Sequence, residues 1–379
     1  MKKKYPLDKI KPGTTFTADA YVDADNLFVP AGTPVRPRDV ESLLQWGVNY
    51  VFSEGDQVEP EARSANQAPA RKGLASFSDH RLYAEYTDMI DRLKAIMDKI
   101  ADAEKIQPKI VDSLAQDVVA LVRDKENEVV SAILSGEVKG YDQARAGLNC
   151  SILSVVIGQT LKLPGHRLSH LAAGALLHDV GMLRIPDEII RKKGSLSPEE
   201  AQKMQAHPLL SYRIITKELH YPDDVGLIGL QHHERWDGGG YPRRTGSNDI
   251  DILARIVSVA DAFEAMVSQK PYRNSMIGYA AMKNLLSDNS RRFDPEVLKA
   301  FIASMGIYPI GSIVVLNNAA IARVMDTHAE APLRPRIKVI VDEFGKHYKD
   351  DSGDVLDLLS EKALFIARAL DPRELEAAS

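Results

Sequence analysis

The chain has 379 residues, 44% of them hydrophobic and 27% charged, with a formal net charge of -5. That length suits two or three folded units, and the charge excludes a general binder of polymeric nucleic acid, which needs a broad basic face. Cys150 is the only cysteine, so no intramolecular disulfide can form, and a reducing cytoplasm is the expected location. The basic start Met1-Lys2-Lys3-Lys4 is followed by no apolar h-region, and no apolar run approaches the roughly 18 residues of a membrane helix, so neither secretion nor a membrane partner is expected.

Residues 1–55 read as a small β-rich module. Turn signals at Lys11-Pro12-Gly13 and Pro30-Ala31-Gly32-Thr33 bound short β-prone pieces at Phe16-Thr17-Ala18 and Asn26-Leu27-Phe28-Val29. A short helix is predicted over Val40 to Trp46, with a closing strand at Tyr50-Val51-Phe52. Residues 56–79 are polar, contain Pro60, Pro69 and Gly73, show no periodicity and read as a linker.

Residues 80–135 read as a helical connector. Tyr83, Tyr86, Ile90, Leu93, Met97 and Ile100 recur three and four apart, and Ile106, Ile110, Leu114, Val118 and Leu121 continue a helical face. Such a seam either packs into the chain's own core or supports a homodimer through helices 80–135; it spans too few heptads for a coiled coil to be preferred. Apolar helices are predicted from Cys150 to Leu163 and from Leu168 to Leu177. Beyond Tyr308 the chain turns β-prone again, with strands at 312–316, 319–324 and 337–341. A terminal helix is predicted over about Val355 to Leu370, closing a small β-rich tail of 309–379.

The chemistry concentrates between His178 and Asp261. His178-Asp179 ends an apolar helix, His207-Pro208 follows a helix-like segment from Ser197, and His232-His233-Glu234 follows the apolar run 225–230. Asp261 sits between Ala260 and Ala262 on an apolar helix, where a bare carboxylate is costly without a cation or donor beside it. Any one of these histidines, taken alone, has a plain structural reading. Together, imidazoles and carboxylates without cysteine ligands suit iron, manganese or zinc and argue against a structural zinc site.

His178-Asp179-Val180-Gly181, Ile185-Pro186-Asp187, His207-Pro208, and His232-His233-Glu234-Arg235-Trp236-Asp237-Gly238-Gly239-Gly240-Tyr241-Pro242 occur in that order. They are followed by Ala254-Arg255-Ile256, Val259-Ala260-Asp261-Ala262-Phe263, Pro271-Tyr272-Arg273 and Phe293-Asp294-Pro295. This set closely resembles the HD-GYP family over residues 136–308, nearly half the chain. The resemblance implies a mainly α protein, an all-helical HD-type domain flanked by small β-rich N- and C-terminal modules. It also implies two or three iron or manganese ions and hydrolysis of cyclic di-GMP. Asp179 would bridge two divalent ions, one also held by His178 and Asp261, the other by His207, His232 and His233, with His178 and Asp179 at the catalytic centre. Such ions lower the pKa of a shared water and neutralise charge growing on the phosphodiester oxygens. Carried over in the same way, Lys270 and Arg273 would grip phosphates, Tyr241 would stack on a base or fix its loop, and Glu234 and Asp237 would orient the ligating imidazoles.

Three departures stand out. Met182 occupies the position after His-Asp-x-Gly where the family usually has lysine. Counting back through Gly158 and Asn149 puts Ala146 where the family has a further metal-binding histidine, with Asp142 one helical turn away as a substitute carboxylate. Arg244-Thr245 replaces a Gly-Leu pair. Three functions follow: a cyclic di-GMP phosphodiesterase of weakened activity, a degenerate relative acting as cyclic di-GMP receptor or as a module for a signalling protein partner, or a metal phosphohydrolase acting on another nucleotide.

Overall fold

The computed structural model describes the chain except residues 1–2, 12–13, 23–26, 34, 36–39, 41–42, 44–47, 59–79, 136–141, 193, 269–275, 288–290, 349–351 and 372–379. It divides into two compact units: residues 73–311 with 327–332, and residues 1–72 with 312–326 and 333–379.

The larger unit is helical: α1 (His80–Ala101), α2 (Pro108–Ser135), α3 (Gln143–Thr160), α4 (Gly165–Leu177), α5 (Asp187–Ile190), α6 (Pro198–Met204), α7 (His207–Arg213), α8 (Asp223–Gln231), α9 (Ile252–Val267), α10 (Gly278–Ser287) and α11 (Pro295–Met305). Tyr86, Ile90, Leu93, Met97 and Ile100 of α1 are buried in the same core as α3, α4 and α9, so the heptad-like seam is spent inside the chain; Tyr83 alone of that series is exposed. Leu114, Val118 and Leu121 bring α2 into that core, whereas Ile110 faces outward. Helix α3 is buried almost all round, as befits a central helix that other helices enclose.

Short polar residues fix where these helices start. The Asp142 carboxylate accepts from Ala144 N at 2.9 Å, and the Ser197 hydroxyl and Glu200 carboxylate close a capping box on α6. Asp251 caps α9 and Asp294 caps α11. Asp294 also takes the Arg255 guanidinium at 2.7 Å with both side chains largely buried, tying α9 to α11. Two motifs of the sequence, Ala254-Arg255-Ile256 and Phe293-Asp294-Pro295, are thus one ion pair in the fold.

In the second unit the N-terminal strands β1 (Lys3–Pro6), β3 (Ala20–Tyr21), β4 (Leu27–Val29) and β5 (Tyr50–Ser53) form a sheet of order β1-β5-β3-β4, while β2 (Thr15–Phe16) pairs with β6 (Gln57–Val58). Their core holds Leu7, Ile10, Phe16, Val29 and Val51. Strand β6 lies within the stretch predicted as linker, most of which, like most of the helix predicted over 40–46, falls outside the described residues.

The C-terminal strands β7 (Ile313–Leu316), β8 (Ile321–Asp326), β9 (Arg336–Val341), β10 (Val355–Asp357) and β11 (Ile366–Leu370) make an antiparallel sheet of order β10-β9-β8-β7-β11. The helix predicted over Val355 to Leu370 is therefore corrected to two edge strands. Leucine and alanine favour a helix locally, but β9 and β7 each leave a row of unpaired backbone groups, and β10 and β11 satisfy them. No helix among the described residues is long and apolar enough to cross a membrane.

Candidate metal centre

Helix α4 delivers the first two residues of the site. Its buried run Leu171–Leu177 anchors it, His178 is its C-cap, and the chain then turns through Asp179 into a 3-10 turn over Val180–Arg184. Gly181 explains how closely that turn approaches α7. A Cβ there would collide with the His207 carbonyl oxygen and the Ser211 backbone nitrogen, so only glycine fits. Gly181 N donates to the Ser211 hydroxyl at 2.9 Å, and the Gln143 amide donates to the Asp179 carbonyl at 3.0 Å. Helix α8 ends at Gln231, bringing His232 and His233 to the same place, and α9 brings Asp261.

The side chains converge. Ligand-capable atoms of Asp179, His207, His232 and His233 all lie within 4.8 Å of one another. Asp179 Oδ1 is 3.2 Å from His207 Nε2 and 3.4 Å from His232 Nε2. His178 Nε2 is 3.7 Å from both Asp179 Oδ2 and Asp261 Oδ1. Every predicted metal-ligating residue is thus in one cluster.

Second contacts set the imidazoles' chemistry. Nδ1 of His178 lies 2.7 Å from the Ala175 carbonyl oxygen, Nδ1 of His207 2.8 Å from that of Met204, and Nδ1 of His232 2.9 Å from that of Gly229. A carbonyl only accepts, so each Nδ1 carries a proton and donates, and each Nε2 is free to offer a lone pair inward. Asp179 Oδ1 is buried and accepts no hydrogen bond. An orphaned carboxylate oxygen facing inward nitrogens is the donor set a divalent transition metal requires.

The electrostatics agree. Burial holds His232 and His233 below the ordinary histidine range, and well below for His233, so both favour the neutral form that ligates. Burial also works against charge on His178, but Asp179 and Asp261 together outweigh it and lift it to about 9. A cation between these groups would replace that proton. Burial would raise Asp261, but the His178 imidazole overrides it and holds Asp261 at about 2.

The carboxylates predicted to orient the imidazoles do something else. Glu234 accepts from Arg243 N at 2.7 Å and Thr245 N at 3.0 Å, clamping the loop after Gly-Tyr-Pro. Asp237 pairs with Arg235 through two contacts of 3.0 and 2.9 Å and accepts from Gly239 N. Backbone carbonyls at the ends of the preceding helices do the orienting instead, a role invisible in side-chain identities. Asp142 is likewise drawn away, its carboxylate serving as the cap of α3. Tyr241 lies against His233, their ring centroids 4.7 Å apart at 30°. Gly240 lets its turn fold back, since a Cβ would strike the backbone of His233, Glu234 and Arg235. Lys270 and Arg273 lie outside the described residues. A cavity of about 440 Å³ opens beside the cluster, lined by Asp179, His233 and Asp261 together with apolar residues, Asn284 and Arg292, a cation that no motif of the sequence marks.

Residues 128–297 match the family model of the HD domain, and residues 313–378 that of a KOW domain associated with HD domain. A cyclic di-GMP phosphodiesterase of Pseudomonas aeruginosa is 29% identical over 286 residues, 74% of this chain and 67% of that protein. The cyclic di-GMP phosphodiesterase PdeB of Borreliella burgdorferi is 34% identical over 194 residues, 51% of each chain. The 3'3'-cGAMP-specific phosphodiesterase 2 of Vibrio cholerae is 34% identical over 293 residues, 76% of this chain and 52% of that protein. The chain spans about two thirds of the length of the first relative and about half of the other two. Residues 128–297 thus belong to the HD domain family, and the motifs from His178 to Pro295 within them resemble its HD-GYP form.

Proposed function

We propose that this chain is a metal-dependent phosphodiesterase of cyclic dinucleotides, with cyclic di-GMP as its substrate. The observation that carries the reading is the buried, unpartnered Asp179 Oδ1 facing the Nε2 atoms of His207 and His232. The names of the relatives supply the substrate class.

In this reading iron or manganese ions would be held by Asp179 with His207, His232 and His233, and by His178 and Asp261 beside them. Divalent ions held there lower the pKa of a water and offset the charge on the phosphodiester oxygens. The chain's own groups supply the rest. The three helix-end carbonyls keep the Nε2 lone pairs aimed inward, and Tyr241 shields the face of His233 from solvent. Lys270 and Arg273 hold the non-bridging phosphate oxygens, the first as a point charge and the second as a planar fork. Product analysis of cyclic di-GMP incubated with protein loaded anaerobically with iron or manganese tests the reading. Conversion to the linear dinucleotide or GMP is expected, and no product at any loading would overturn it.

A second reading, a cyclic di-GMP receptor without useful turnover, is favoured by one observation. Ala146 stands where the family places an imidazole, and Asp142, the nearest substitute, spends its carboxylate on capping α3.

A further inference from the structure

We propose that the cavity beside the histidine–aspartate cluster is a nucleobase subsite and that Arg292 selects guanine in it. This deepens the phosphodiesterase reading and rests on it.

The cavity is lined by side chains of two chemical kinds. Asp179, His233 and Asp261 belong to the candidate metal centre, while Ala262, Ala265, Met266, Leu285 and Phe293 supply apolar wall and Asn284 one further polar group. A phosphate gains nothing from apolar walls and loses its hydration against them, whereas the flat faces of a purine are buried favourably there. The scissile phosphate therefore belongs at the carboxylate end, and the attached base along the wall.

Arg292 is the one cation lining this cavity among the described residues. Its guanidinium carbon sits 4.9 Å from the centroid of the Phe293 ring. Among the described residues it forms no hydrogen bond through its side chain and no ion pair with Asp179 or Asp261, although all three line the same space. Its donors are spare, yet the backbone beneath them is fixed. The Arg292 carbonyl accepts from Trp236 N at 2.9 Å and the Arg291 carbonyl from Asp237 N at 2.8 Å, and Asp294 is locked to Arg255.

A planar fork with spare donors on a fixed backbone matches one purine edge. Guanine presents two adjacent acceptors, O6 and N7, to a bidentate arginine; adenine replaces O6 with an amino donor that meets the fork donor to donor. The chemistry thus favours dinucleotides carrying guanine over those carrying only adenine.

The test is calorimetric binding of cyclic di-GMP, 3'3'-cGAMP and cyclic di-AMP to the full-length, manganese-loaded protein. Wild type, Arg292→Ala, Arg292→Lys and Arg273→Ala are compared, with metal content and melting temperature checking that each variant folds. Loss of a bidentate base contact predicts that Arg292→Ala weakens cyclic di-GMP by about ten- to a hundredfold and cyclic di-AMP by no more than about threefold. Arg292→Lys, a point charge without the fork, is expected not to restore the preference, and Arg273→Ala is expected to weaken all three ligands alike. Equal loss for cyclic di-GMP and cyclic di-AMP in Arg292→Ala would make Arg292 a phosphate contact and overturn the subsite. Unchanged binding would also overturn it while leaving the phosphodiesterase reading standing. A metal-loaded wild type that binds none of the three would instead defeat that reading, and the subsite with it.

Discussion

Nε2 of His207 stands 3.2 Å from Oδ1 of Asp179, and that buried oxygen accepts no hydrogen bond. Two such groups left facing each other without a proton between them are stable only with a cation in reach. The protein prepared anaerobically with metal supplied is therefore expected to retain at least one transition metal per chain. His207→Ala and His232→Ala should each lower that content, read by elemental analysis. If bound ions stabilise by about 2.7 kcal/mol at a hundredfold excess over Kd, chelation should lower the melting temperature by roughly 5–10 °C.

Gly181 makes a sharper test of the same centre, because it carries no side chain that could hold a metal. Its α-carbon lies against the His207 backbone, and an added methyl must push α7 away from the turn that carries Asp179. Gly181→Ala is expected to destabilise the protein by about 1–3 kcal/mol, the cost of overpacking a close contact, and to reduce metal content. Ser211→Ala removes only the hydroxyl that Gly181 N donates to, at a cost of about 1 kcal/mol. Urea unfolding with parallel metal analysis distinguishes the two.

Much of this cluster was legible in the sequence because His178, Asp179, His207, His232 and His233 sit at helix ends and Asp261 on an apolar helix. A histidine or carboxylate at the end of a buried helix has nowhere to go but inward, and the structure brings His178, Asp179, His207, His232, His233 and Asp261 together. What positions them was not legible. The carbonyls of Ala175, Met204 and Gly229 are the same atoms in every residue, and only the path of the chain aims them. Glu234 serves elsewhere than as an imidazole partner for a related reason: the donors it accepts from are backbone N–H groups nine and eleven residues later. The terminal strands were hidden differently, since Val355–Asp357 and Ile366–Leu370 take their form from the edges they cover.

Glu234 carries a prediction of its own. It is buried and holds Arg243 N and Thr245 N with its two oxygens, so Glu234→Ala leaves two donors unmet and frees the loop after Gly-Tyr-Pro. The expected loss is about 1.5–3 kcal/mol, the range for hydrogen bonds to a charged group. Limited proteolysis should become faster between residues 241 and 246, and metal content should fall less than in His232→Ala, because the imidazoles keep their carbonyl partners.

Arg273 is expected to act on the ligand alone. Arg273→Ala should weaken cyclic dinucleotide binding by about 1.5–3 kcal/mol, as for a lost charged contact, with metal content intact. Calorimetry that returned the wild-type affinity would move the phosphate grip elsewhere.

The departures at Ala146 and Met182 decide between enzyme and receptor. Ala146 lies half-buried on α3, one turn beyond a cap that commits Asp142, so the chain offers no described replacement for the missing imidazole. In the proposed two-ion reading, an ion held by His178, Asp179 and Asp261 would have fewer protein ligands than one held by Asp179, His207, His232 and His233, and it would be the weaker of the two. Met182, in the turn after Asp179, offers a thioether where an ammonium could steady the departing oxygen; losing a general acid costs on the order of 10²–10⁴ in rate. Slow hydrolysis is therefore expected, with binding better preserved than turnover. Ala146→His combined with Met182→Lys should raise the second metal's occupancy and kcat together while shifting Kd for cyclic di-GMP much less. Elemental analysis, single-turnover rates and calorimetry on the same preparations read the three quantities separately. A wild type that already turns over at about 10 per second, an ordinary enzymatic rate, would show that neither position limits the chemistry.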